Sequence, residues 1–89
     1  MNSNARVVVY IKSHCPYSRA AQDLLKQRGI PFEAVNVTDD PGKRDELAQR
    51  AHGRRTLPVI FIDGQPIGGF QELASLVRRG KLGDMARAA

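Results

Sequence analysis

The chain has 89 residues, 42% of them hydrophobic and 26% charged, with a formal net charge of +5 and one cysteine. That length suits one domain spanning residues 1–89, and the apolar content excludes a disordered chain. There is no run of about 18 apolar residues to cross a membrane and no apolar stretch of export-signal length at the N-terminus, while one cysteine excludes an internal disulfide and an all-cysteine zinc site.

Arg6-Val7-Val8-Val9-Tyr10-Ile11 is a β-branched and aromatic run, which predicts a strand buried on both faces. A short loop, Lys12-Ser13-His14-Cys15, leads to Pro16, which suits the first position of a helix. Ala20, Ala21, Leu24 and Leu25 recur at helical spacing before Gly29, so a helix is predicted over 16–28. Phe32 to Val37 reads as a second strand. Strand, helix and strand within about 30 residues form a βαβ unit, whose strands are parallel.

Thr38-Asp39-Asp40-Pro41 is the start signal of a second helix, with an acidic cap followed by proline. Leu47, Ala48 and Ala51 supply its buried side, and Gly53 ends it. Pro58 to Ile62 is the third strand. Asp63-Gly64 suits a two-residue type I′ turn, and Gln65-Pro66-Ile67 returns antiparallel as an edge strand, because proline cannot donate within an interior ladder. Gly68-Gly69 precedes a helix over 70–79 with an apolar face of Leu73, Leu76 and Val77, closed by Gly80. Leu82 to Ala89 is read as a last short helical turn. The order βαβ, α, ββα predicts an α/β fold, a four-stranded mixed sheet flanked by helices on both faces.

Cys15 falls between a buried strand and a helix N-terminus. The N–H groups of the first turn, near Tyr17 and Ser18, lack intrahelical partners, and with the helix dipole they favour a thiolate. Lys12 adds positive charge if it points the same way. The alternative is an inert cysteine used as a small core hydrophobe. The strand–Cys–Pro–helix context favours an exposed, reactive thiol of lowered pKa. Its partner is anionic, since the chain is basic. A lone thiol also suits a reducing, cytoplasmic compartment. His14 and His52 lack metal-ligand spacing and are read as solvated or capping groups, so no metal site is expected. Arg78, Arg79 and Arg87 are read as a solvated helix face and chain end. No interleaved aromatics support base stacking, so neither nucleic acid nor a membrane is expected as a partner.

Cys15-Pro16-Tyr17-Ser18 resembles the active site of glutaredoxins, a branch of the thioredoxin-like superfamily. Tyr10-Ile11-Lys12 is similar to the family's strand and active-site lysine, Thr56-Leu57-Pro58 to its Thr-Val-Pro segment, and Ile67-Gly68-Gly69-Phe70 to its Gly-Gly turn. The resemblance covers roughly residues 6–85. It implies a thioredoxin-like fold, a cis bond at Pro58 facing the cysteine, and glutathione as cosubstrate. It further implies that Lys12, with Arg44, holds the glycine carboxylate. Tyr17 flanks the tripeptide, and Thr56, Leu57 and Pro58 present the backbone to it. Gly69, Phe70 and Gln71 hold the γ-glutamyl end. Gln71 stands where many relatives have Asp, which removes a charge-assisted contact to the γ-glutamyl ammonium.

Ser18 stands where a dithiol enzyme has its second cysteine. The implied activity is thiol–disulfide oxidoreduction of glutathionyl mixed disulfides by a monothiol mechanism, in a monomer, with Cys15 as nucleophile. Pro16 and Ser18 support it. Two other readings of the same residues remain. One is a [2Fe–2S] cluster carrier using Cys15 and glutathione, disfavoured by Pro16-Tyr17 and by the absence of tryptophan. The other is a dithiol enzyme whose resolving cysteine has been replaced by serine as a trap.

Overall fold

A computed structural model describes residues 6–53 and 57–80. The strands are β1 (Val7–Ile11), β2 (Glu33–Asn36), β3 (Val59–Ile62) and β4 (Gln65–Gly68), and the helices are α1 (Pro16–Gln27), α2 (Pro41–Arg50) and α3 (Phe70–Arg78). The sheet order is β2-β1-β3-β4. β1 pairs parallel with β2 and antiparallel with β3, and β3 pairs antiparallel with β4. Proline in β4 is tolerated because β4 is an edge. Asp63 and Gly64 take φ of 52° and 83°, as a type I′ turn requires.

Strand parity divides the core into two layers. Val7 and Val9 of β1 and Ile60 and Ile62 of β3 pack with Ala21 and Leu25 of α1 and Leu73 and Val77 of α3. The alternate residues, Val8, Tyr10, Val59 and Phe61, pack with Leu47 of α2 and with Ala51, the residue that caps its end. β1 departs from the expectation of burial on both faces: Val7 and Val9 are buried, whereas Val8 and Tyr10 are half-buried. One short helix covers the second face, against two on the first. β2 is shorter than the run 32–37 suggested, although Val37 is fully buried and its N–H still donates to the Ile11 carbonyl at 2.9 Å.

Helix ends follow the local chemistry. Asp40 accepts from the Lys43 N–H at 2.9 Å and caps α2, satisfying one orphan donor. The predicted turn over 82–89, with Arg87, lies outside the described residues. Among the described residues, no helix is long and apolar enough to cross a membrane.

Candidate active site around Cys15

Cys15 is the N-cap residue of α1, with extended backbone dihedrals. β1 delivers the loop to the carboxyl end of the sheet, and Pro16 starts the helix without wasting an N–H. The sulfur therefore sits at the positive end of a 12-residue helix. Cys15 is half-buried, not exposed as its loop position suggested. Its thiol points across to the Leu57 carbonyl, 3.8 Å away. Leu57 precedes Pro58 through a cis peptide bond. The Leu57 backbone is thus not wholly free, as the resemblance implied: its carbonyl faces the thiol.

The thiol pKa is lowered. The largest cause is a hydrogen bond from the Ser18 hydroxyl, followed by the Ser18 N–H; the Tyr17 N–H and the positive charge of Lys12 contribute less, and burial opposes them. Ser18 is only 2% exposed. Its hydroxyl oxygen also accepts from the Lys12 N–H at 3.4 Å, which leaves its proton for the sulfur. A serine at this position cannot make a disulfide, but it can hold a thiolate. Ser18→Ala is expected to move the pH midpoint of Cys15 alkylation upward. The thiolate is the reactive species, so the lowered pKa extends reactivity to more acidic pH and the variant shortens that range. Alkylation rate against pH measures it, and an unmoved midpoint would assign the effect to the helix N–H groups and Lys12.

The loop carrying the cysteine is tied down by contacts the sequence reading missed. The Ser13 N–H donates to the Thr38 hydroxyl at 2.7 Å, the Thr38 hydroxyl donates to Asn36 Oδ1 at 2.6 Å, and Asn36 Nδ2 donates to the Ser13 hydroxyl at 3.1 Å. Ser13 lies about two dozen positions from Asn36 and Thr38 in the chain, and no local pattern announces their meeting. His14 takes φ of 60° in this loop. Among the described residues, no three metal-ligating side chains cluster.

Two clefts flank the sulfur. One, of about 320 Å³, is lined by Tyr17, Leu57, Pro58, Gly69, Phe70, Gln71 and Glu72. Tyr17 is 60% exposed and its ring lies 5.9 Å from that of Phe70. Here six of the expected residues come together. Glu72 was not expected among them: its carboxylate accepts from the Gly69 N–H at 2.7 Å. That N–H is therefore occupied, and the N–H groups of Phe70 and Gln71, ahead of the first intrahelical bond from Leu73 to Gly69, have no acceptor within the helix. Gly68 has a packing reason to be glycine. Its φ is 133°, and a Cβ there would come within 2.7 Å of the Glu72 side chain.

The other cleft, of about 770 Å³, lies along α1 and contains Lys12 together with Cys15, Arg19 and Lys26. Arg44, on the first turn of α2, is exposed and lines neither cleft. Thr56 lies outside the described residues.

The glutaredoxin family model matches residues 7–67. Glutaredoxin 3 of Escherichia coli is 42% identical over 78 residues, 88% of this chain and 93% of that protein. A probable glutaredoxin of Synechocystis is 40% identical over 82 residues, 92% of this chain and 93% of that one. Among solved structures, the buckwheat glutaredoxin–glutathione complex superposes with a TM-score of 0.80 at 30% identity, covering 92% of this chain and 76% of that one. Glutaredoxin of Brucella melitensis superposes at 0.81 with 32% identity, covering 99% and 96%.

Proposed function

The chain belongs to the glutaredoxin family, and from that premise we propose that it removes glutathione from mixed disulfides by a monothiol cycle on Cys15. The observation that carries this reading is the sulfur's setting. It is the chain's only thiol, held at a helix N-terminus with a buried serine hydroxyl where a second sulfur would otherwise stand.

In the first half of the cycle the Cys15 thiolate attacks the glutathionyl sulfur of R–S–S–G. The Cys15–glutathione disulfide forms, and the R thiolate leaves and takes a proton from solvent. In the second half a glutathione thiolate attacks the glutathionyl sulfur of that adduct. Oxidised glutathione leaves, and Cys15 returns as the thiolate. Each turn thus consumes one reduced glutathione: the mixed disulfide and glutathione become the free thiol and oxidised glutathione, whose other half comes from the substrate. The Ser18 hydroxyl and the N–H groups of Tyr17 and Ser18 stabilise the sulfur anion at both ends of the cycle, which makes Cys15 a good leaving group in the second half.

The glutathionyl moiety occupies the cleft of Tyr17, Leu57 and Phe70. The extended tripeptide pairs with the Leu57 backbone in the manner of an added strand. A carboxylate of its γ-glutamyl end sits on the free N–H groups of Phe70 and Gln71. The Gln71 amide is available to the same end. Lys12, across the sulfur, takes the glycine carboxylate. Arg44 contributes only if its long side chain swings in from α2. The cycle needs one sulfur and the two clefts of one chain, so a monomer suffices, and it runs where glutathione is kept reduced, as in cytoplasm.

Initial rates against glutathione, at several fixed concentrations of a small mixed disulfide, test the cycle. The proposed mechanism gives the parallel double-reciprocal lines of a ping-pong enzyme. Intersecting lines would require both substrates to be bound together and would contradict it.

A further inference from the structure

The cycle just proposed seats glutathione in one cleft, touches the larger one only through Lys12, and leaves the rest of the larger one to the thiol partner on the other side of the sulfur. The two differ sharply in charge. The cleft of Tyr17 and Phe70 has Glu72 as its one charged lining residue. The cleft along α1 has Lys12, Arg19 and Lys26 against a single carboxylate, Asp23. None of these cations is in an ion pair among the described residues. Its volume, about 770 Å³, falls in the range of about 300–1,000 Å³ typical of built ligand sites, and it is longer than one thiol needs.

Arg19 and Lys26 are seven residues apart on α1, so they share one face of the helix. At about 1.5 Å of rise per residue they stand about 10 Å apart along the axis. Side chains of an extended chain alternate between faces, so the same-face spacing that spans this distance is four residues, about 13 Å at about 3.3 Å each, which the long Arg and Lys side chains can meet. The leaving group R departs from this side, because the glutathionyl half fills the other. We infer that the α1 cleft is a docking site for the protein part of the substrate, and that it selects glutathionylated segments carrying two acidic residues four positions apart beside the modified cysteine. The inference rests on the deglutathionylation reading. It adds the substrate class: acidic, extended peptide segments, matched by Arg19 and Lys26.

Three glutathionylated peptides test it, identical except for a pair of positions four apart that carry glutamates, glutamines or lysines. At low ionic strength the chain is expected to process the acidic peptide about tenfold faster in kcat/KM than the basic one, the low end of electrostatic steering. Added salt should shrink the preference, since charges at the surface are screened within about 10 Å at 0.1 M. The double reversal R19E/K26E should invert the order. Both residues are exposed, and the salt titration gives the same answer on the unaltered chain. Equal rates for all three peptides, with a small mixed disulfide still turned over, would overturn the inference and leave the proposed function standing. A double variant that raises KM for glutathione without changing the peptide order would also overturn it, and would assign the cleft to the small reductant. No turnover of any peptide or of the small disulfide would defeat both the function and the inference.

Discussion

Cys15→Ser is expected to abolish glutathione-dependent turnover, with a loss of at least about 10³-fold in a coupled assay. A serine hydroxyl ionises far above neutral pH and cannot exchange with a disulfide. The variant should fold, because the substitution is nearly isosteric and Cys15 lies in a loop position with no core packing assigned to it. No other thiol exists in the chain to take over. Retained turnover would mean that the protein merely positions two small thiols, and that the sulfur at the head of α1 is incidental.

The largest effect on stability is expected from Phe61→Ala. Phe61 is 2% exposed and sits centrally on the less well covered face of the sheet. The Tyr10 ring meets it edge-on with centroids 5.4 Å apart, and the Arg50 guanidinium lies 4.7 Å from its centroid. Truncating a buried phenylalanine costs about 3–5 kcal/mol, against a total of about 5–15 kcal/mol for an ordinary domain. For a chain of this size the cost corresponds to a fall in Tm of more than about 12 °C. Urea or thermal unfolding measures it. A loss below about 1 kcal/mol would mean that α2 does not hold Phe61 against the sheet. The active site feels the loss indirectly, since Leu57, beside the sulfur, packs on the same cluster.

Much of this architecture is legible in the chain because its signals are local. Pro16 and Asp40-Pro41 mark helix starts, Asp63-Gly64 marks a hairpin, and Pro66 marks an edge. Strand parity explains why the first strand is less buried than its sequence predicts: a run of five apolar residues looks the same whether its second face is covered by two helices or by one short one. The cysteine's environment was legible for the same local reason. Tyr17, Ser18 and Lys12 are within three residues of it, and those groups lower its pKa.

Long-range contacts were not legible. The Ser13–Thr38–Asn36 ties cross from one loop to the end of another strand. The carboxylate of Glu72 takes the Gly69 N–H that the Gly-Gly pattern seemed to offer a ligand. Helical Glu at this spacing behind a cap is itself a recognisable signal. Arg44 illustrates the converse. A family pattern placed it at the ligand, but its position on α2 leaves it off both clefts.

The central claim is that Cys15 alone carries glutathione between two partners. Intact-mass spectrometry tests it in a single turnover. The reduced chain is mixed with one equivalent of a glutathionylated peptide, sampled, and then given reduced glutathione. The account predicts a mass increase of one glutathionyl group, located on Cys15, that disappears when glutathione is added and reappears as oxidised glutathione. A chain that never gains the group, or one that keeps it after glutathione is added, would contradict a monothiol cycle on Cys15.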